Sequence, residues 1–113
     1  MKLVRIYECL CDETRLRILH LLSRRPLCVW QLQEVLREPQ VKVSRHLAYL
    51  RRRGMVAARR QGNEMLYDLP VTRPPELERH LKCLQDCTRE NAALRLDQQR
   101  LRRLEPATPG GRR

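Results

Sequence analysis

Two kinds of side chain in this sequence are equipped for chemistry, thiols and guanidinium groups, and both are placed unevenly. The five cysteines stand at Cys9, Cys11, Cys28, Cys83 and Cys87. Cys83 and Cys87 are spaced i, i+4, so on a helix both thiols leave one face about a turn apart. Soft thiolates select soft metal ions and, by extension, As(III) or Sb(III), whereas Zn(II) prefers four ligands including imidazole. His80 shares the face, but its separation from Cys87 is about 10 Å of helical rise, too far for one ion without bending. An odd number of cysteines in segments that read as helical speaks against a disulfide framework, which favours loop-rich chains, and for reduced cytoplasmic thiols.

The charge is concentrated. The 113 residues carry a formal net charge of +11. Between Arg37 and Arg60 stand eight basic residues (Arg37, Lys42, Arg45, Arg51, Arg52, Arg53, Arg59, Arg60) against one acidic residue, Glu38, so this stretch holds +7 of the total. Such a bias points to nucleic acid first and to an acidic membrane surface second.

These groups need elements to hold them. Leu3 to Cys11 reads as a short amphipathic helix, and Asp12 suits the start of a second one carrying Leu16, Ile18, Leu19, Leu21 and Leu22. After Arg24-Arg25-Pro26, Leu27 to Leu36 reads as a third helix with Val29, Leu32, Val35 and Leu36 on one side. A turn at Arg37-Glu38-Pro39 leads to a fourth helix, Gln40 to Arg53, closed by Gly54. Met55–Ala58 and Met65–Leu69 read as two strands around a tip, Arg59 to Asn63. Prolines at 70, 74 and 75 mark a linker. From about Pro75 to Leu104 the pattern predicts one long helix, with a heptad-like seam of His80, Leu84, Cys87, Asn91, Leu94, Gln98 and Leu101.

The order predicts a mainly α chain with a small β-hairpin wing, a winged helix-turn-helix of order α-α-α-α-β-β-α over residues 1–104. The tail, 105–113, reads as disordered. No run approaches the ~20 apolar residues of a membrane span, and Met1 to Asp12 lacks the apolar stretch and cleavage site of a secretory signal. Phe is absent, so Leu, Val and Ile must fill one modest core.

Helical geometry sorts the basic stretch. With Val43, Leu47 and Leu50 as the core stripe, the 100° step puts Val41, Arg45, Ala48 and Arg52 opposite it. Lys42, Ser44 and Tyr49 flank that face, and His46 sits at the core boundary. The N-terminal part of such a helix meets base edges. Gln40, Val41, Ser44 and Arg45 are therefore the candidate base readers: Arg forks onto guanine, Gln pairs with adenine, and an aliphatic group meets a thymine methyl. His46 is kept as a boundary candidate. Lys42, Arg51 and Arg52 are placed for phosphates, and Arg59 and Arg60 for the minor groove or flanking backbone. Double-stranded DNA fits this surface better than RNA, whose deep major groove excludes side chains. A Cys–His hydrolase built on Cys28 with His20, His46 or His80 is disfavoured, because no nucleophile signature surrounds any cysteine. No enzymatic activity and no small-molecule substrate are expected.

Over roughly Ile6 to Leu69 the sequence resembles the ArsR/SmtB family of metal-responsive winged-helix repressors, in particular its arsenic-responsive branch. Asp12-Glu13-Thr14-Arg15-Leu16-Arg17-Ile18-Leu19 is similar to the family's opening signature. Val43-Ser44-Arg45-His46-Leu47, with Leu50-Arg51 and Gly54-Met55-Val56, resembles its recognition helix and exit. Arg59-Arg60-Gln61-Gly62 with Tyr67-Asp68-Leu69 resembles its wing. The resemblance implies a homodimer held by the first and last helices, bound to an inverted-repeat operator and released by an inducer. The sequence departs from the family's usual Ser at Pro39, which removes an N-cap oxygen. It departs again at Leu27-Cys28-Val29-Trp30, where arsenic sensors often carry a second cysteine. Cys28 alone therefore reads as a small buried residue rather than a ligand, and Trp30 as packing. The family architecture sets Cys9 and Cys11 against the last helix, where either adds a third sulfur to Cys83 and Cys87. The expected inducer is As(III), Sb(III) or another thiophilic ion. A thiol redox or persulfide switch, or inert cysteines, are the alternatives, and no permanent cofactor is expected.

Overall fold

The computed structural model describes residues 3–104; the expected disordered tail lies outside the described residues. Six helices and three short strands follow one another as α1 (Leu3–Leu10), α2 (Glu13–Leu22), β1 (Leu27–Cys28), α3 (Val29–Leu36), α4 (Gln40–Arg52), β2 (Ala57–Gln61), β3 (Glu64–Asp68), α5 (Pro75–Cys87) and α6 (Ala92–Arg103). Among the described residues no helix is long and apolar enough to cross a membrane.

Local chemistry sets the boundaries. Asp12 caps α2, its Oδ1 accepting from the Arg15 amide at 3.0 Å. At α3 the Gln31 side chain reaches back to accept from the Cys28 amide at 2.8 Å. α4 follows Pro39, which offers no side-chain cap, as its residue type requires. Gly54, at φ 75°, ends α4, and the Met55 amide returns to the Leu50 carbonyl. The wing closes on the two-residue turn Gly62-Asn63, with Gly62 at φ 62°.

One apolar cluster takes members from all six helices, Leu101 of α6 included. Ile6, Ile18, Leu19, Leu21, Leu32, Val35, Val43, Leu47, Leu50, Met55, Leu77 and Leu81 all belong to it. The antiparallel sheet has the order β1-β3-β2, with Leu27 opposite Tyr67 and Ala57 opposite Asp68. The sheet therefore anchors the wing to the start of α3.

Three expectations are corrected. Leu27 and Cys28 are not the first turn of a helix; they pair with Tyr67 and Leu66 as a third strand. Arg59, Arg60 and Gln61 lie within β2 rather than at the tip. The long helix from about 75 to 104 is two helices, because Thr88 to Asn91 interrupts it and Asn91 Oδ1 caps α6 by accepting from the Leu94 amide at 3.1 Å. α6 folds back onto α2 and α3. Its inward residues are Leu94, Asp97 and Leu101, so Asp97 rather than Gln98 occupies the inner position. The heptad-like seam does not run continuously.

Candidate DNA-reading face and thiol face

α4 divides into a buried stripe and an exposed face. Val43, Leu47 and Leu50 are fully buried, and this anchored stripe fixes the rotation of the helix. Gln40, Val41, Ser44, Arg45, Arg51 and Arg52 are exposed, as are Arg59 and Arg60 on the wing. Val41 is 69% exposed, an aliphatic side chain set among polar ones at the leading end of the helix. Lys42 is half-buried and pairs with Glu38 at 3.2 Å. An i, i+4 surface pair of this kind contributes only about 0.3–0.5 kcal/mol and can be exchanged for a phosphate.

His46 is half-buried, with Nε2 3.8 Å from Asp12 Oδ1. Burial holds its pKa below the usual imidazole value; Asp12 opposes the shift, while Arg15, Lys42 and Arg45 reinforce it. The Asp12 carboxyl is held below the usual range: burial opposes this, but the Arg15 amide hydrogen bond and the charges of His46 and Arg15 outweigh it.

Sequence reasoning missed an aromatic clamp behind this face. The Tyr49 ring lies between two guanidinium groups, Arg15 at 4.1 Å and Arg53 at 3.5 Å. Arg15 also donates through Nε to the Cys9 carbonyl at 3.1 Å and through its second nitrogen to the Glu8 carbonyl at 3.0 Å. Arg53, counted in the basic stretch, is thus engaged inward. The signal was available in the i, i+4 spacing of Tyr49 and Arg53.

The cysteines divide by exposure. Cys83 and Cys87 are exposed on α5 with their sulfurs 4.0 Å apart. The Cys87 pKa is raised, first by the hydrogen bond to Cys83 and then by that thiol's charge. Cys11 is exposed and Cys9 fully buried; burial pushes the Cys9 thiol up. Cys28 is buried, its pKa pushed up to about 11 by burial and then by a hydrogen bond to Glu64. α1 and α5 do meet: the Tyr7 hydroxyl lies 3.1 Å from His80 Nε2, with the rings edge-on at 5.0 Å. His80 Nδ1–H donates to the Glu76 carbonyl at 2.7 Å, which leaves Nε2 to accept from Tyr7. Within one chain, however, no group of three His, Cys, Asp or Glu side chains able to hold a metal ion forms among the described residues. Cys83 and Cys87 come together; Cys9 and Cys11 do not join them.

Comparison with known proteins matches the helix-turn-helix region by family model and most of the chain by relatives. The family model described as "Bacterial regulatory protein, arsR family" matches residues 12–58. The arsenic resistance transcriptional regulator ArsR1 of Pseudomonas putida is 38% identical over 86 residues, covering 75% of this chain and 67% of that protein. The arsenical resistance operon repressor of Escherichia coli is 45% identical over 67 residues, 58% of this chain and 57% of that one, so the match spans little more than half its length. Among solved structures, HlyU from Vibrio cholerae superposes with a TM-score of 0.66 at 31% identity, covering 74% of this chain and 87% of that chain. The AntR antimony-specific transcriptional repressor gives 0.63 at 32% identity, covering 78% and 80%. These relatives are transcriptional regulators, not enzymes. With the family model matched over residues 12–58 and a relative 38% identical over 75% of this chain's length, the chain belongs to the ArsR family of winged-helix DNA-binding regulators.

Proposed function

We propose that this regulator is a cytoplasmic homodimeric repressor that holds an inverted-repeat operator and leaves it when As(III) or Sb(III) binds Cys83 and Cys87. The observation that carries the reading is the pair of exposed thiols 4.0 Å apart on α5. Two sulfurs at this spacing on a rigid helix are prearranged for one trivalent, thiophilic centre. The third sulfur comes from Cys11, which is exposed, from the same protomer or its partner; Cys9 would first have to leave the core.

Support for the rest is physical. α1 exposes Leu3, Val4 and Tyr7, a short apolar face suited to a second copy. Two copies would set two α4 helices in successive major grooves, with a wing beside each. Gln40, Val41, Ser44 and Arg45 then read base edges, Lys42, Arg51 and Arg52 hold phosphates, and Arg59 and Arg60 reach the flanking backbone or minor groove. The printed identities of the relatives, arsenical and antimony-specific repressors, fit an inducer of this class.

The test is direct. As(III) or Sb(III) added to the reduced protein–operator complex should return fluorescence anisotropy to that of free DNA. Cys83→Ser or Cys87→Ser should abolish this response and leave operator binding intact. A double variant that still responds puts the ion elsewhere. The same 4.0 Å separation also favours a second reading, in which an oxidant closes the two thiols to a disulfide or a persulfide donor modifies them. Release by peroxide or a persulfide donor, without release by As(III), would select it.

A further inference from the structure

Two buried polar groups have no part in the DNA face or the thiol pair: His20 and Asp97, both fully buried. They belong to one arrangement. α2 carries Arg17 and His20 three residues apart and hence on neighbouring positions of one face, and this face meets both arms of the C-terminal hairpin. Thr88 Oγ1 donates to the Leu84 carbonyl at 3.0 Å, so the His20 Nε2–H is the donor in its 3.0 Å contact with Thr88. Arg17 grips Asp97 with two bonds, of 2.8 and 2.7 Å. The first contact holds the end of α5 and the second holds α6. Between them lies the elbow, Thr88 to Asn91, which begins at the residue after Cys87. An open cleft of 650 Å³, lined by Gln85, Thr88, Glu90, Arg95 and Gln98 among others, lies between the arms and gives the elbow room to close.

The same guanidinium reaches the helix-turn-helix. Arg17 also donates to the Leu36 carbonyl at 3.1 Å. Arg100, one turn along α6 from Asp97, donates to the Val35 carbonyl at 3.0 Å. These are last-turn carbonyls of α3, a helix with no basic residue of its own in that turn. The chain then enters the turn to α4 through Arg37, a non-glycine residue at φ 58°, a conformation kept only where the surroundings hold it.

We propose that the α5–α6 elbow couples the Cys83–Cys87 pair to the recognition helix, with Arg17 as the positioning residue. The coupling rests on the reading of those two thiols as the inducer site. When an arsenical of the form R–As=O bridges them, two As–S bonds form, and the two thiol protons leave with the arsenical oxygen as water. Arsenic stays trivalent throughout. The bridge replaces the thiol–thiol contact in the last turn of α5, and the new set of that turn is passed to α6 through the elbow. Because the guanidinium is a rigid planar fork, Arg17 cannot follow Asp97 and also keep its bond to Leu36. The end of α3 loosens, and with it the start of α4.

The experiment uses phenylarsine oxide on the reduced full-length protein, with bridging confirmed by mass and by the loss of two titratable thiols. Hydrogen–deuterium exchange reads the amides of 35–42, and anisotropy reads operator affinity. Bridging should speed exchange in 35–42 by at least about fivefold and weaken operator binding about 5- to 150-fold, the usual range for coupled sites. In Arg17→Lys, which keeps the charge but loses the fork, the segment should exchange fast beforehand and bridging should add less than about twofold. Asp97→Asn should behave in the same way, and it carries the comparison if Arg17→Lys fails to fold. Unchanged exchange in the bridged parent, or an equal increment in the variants, overturns the coupling. Operator release without change in 35–42 overturns the elbow and leaves the inducer reading standing. Faster exchange without release does the reverse.

Discussion

The DNA-reading face and the C-terminal hairpin both depend on arginine, and they use it in opposite ways. On α4 and the wing, Arg45, Arg51, Arg52, Arg59 and Arg60 are exposed and form no ion pair among the described residues. Their charge is available to a partner, and the buried stripe beneath fixes where each one points. Between α2 and α6 the guanidinium of Arg17 is mostly covered and the carboxylate of Asp97 wholly so. That charge is consumed inside the molecule. The exposed arginines leave a charged surface, and the mostly covered Arg17 ties two helices together at a joint. The difference predicts that substitutions in the two regions fail differently.

The largest effect belongs to the joint. Asp97→Ala leaves Arg17 uncompensated beneath α6 and should cost about 3–5 kcal/mol in urea or thermal unfolding, the usual consequence of removing one partner from a buried pair. Arg45→Ala should stay within about 0.5 kcal/mol of the parent in the same assay. In operator binding Arg45→Ala should cost about 1–3 kcal/mol and relax preference at one base position. If Arg45→Ala instead weakens all sequences equally, Arg45 holds a phosphate. If Asp97→Ala unfolds like the parent, the buried pair is not what seats α6.

A second effect of the joint depends on pH. Burial, with some help from Arg24, pushes the His20 pKa down from 6.5 to about 4. Its Nδ1 has no hydrogen-bond partner among the described residues to receive a second proton, and the nearby Asp97 charge only partly offsets the depression. A group with a depressed folded pKa takes up its proton more readily when unfolded below about pH 6.5. Stability is therefore full above that pH and falls as the pH drops toward 4. Between pH 7 and pH 4.5 the loss attributable to His20 should be about 2–3 kcal/mol. Urea midpoints for the parent and for His20→Gln across that range isolate it. A parent curve parallel to that of the variant would mean that the pocket around His20 admits water.

This contrast also explains what could be read before the structure. The α4 face was legible because its information is local: Val43, Leu47 and Leu50 repeat at helical spacing, and the basic residues fall between them. The hairpin was not. Nothing in Thr88-Arg89-Glu90-Asn91 is a Gly or Pro, so the helical pattern ran through it. The one local signal was Asn91, a residue better suited to an N-cap than to a helix interior. Reading the inner face of α6 as Leu94, Gln98 and Leu101 missed Asp97 by one position, and its partner Arg17 lies 80 residues away. The strand at Leu27–Cys28 was hidden for a similar reason, since its two residues are defined only by pairing with Tyr67 and Leu66.

His46 stands at the boundary between the two regions and gives the smallest and most discriminating effect. It lies on the recognition helix, yet its imidazole faces Asp12 at the start of α2. Burial keeps its pKa below the ordinary value against the pull of Asp12, with Arg15, Lys42 and Arg45 adding to the depression, so at pH 7 it is neutral. Lowering the pH protonates it. If His46 belongs to the reading face, the new positive charge should raise operator affinity by no more than about threefold as the pH is lowered from 7.5 to well below the ordinary imidazole range, as expected for one partly screened charge. The salt dependence should steepen by at most about 0.9 per protomer. If it belongs to the joint, protonation should tighten the contact with Asp12, shift α4 and lower affinity instead. His46→Gln removes either response and retains the His20 background, so the difference between parent and variant reports His46 alone. Anisotropy titrations at fixed ionic strength give the sign, and the sign decides whether the contact with Asp12 serves the DNA or the fold.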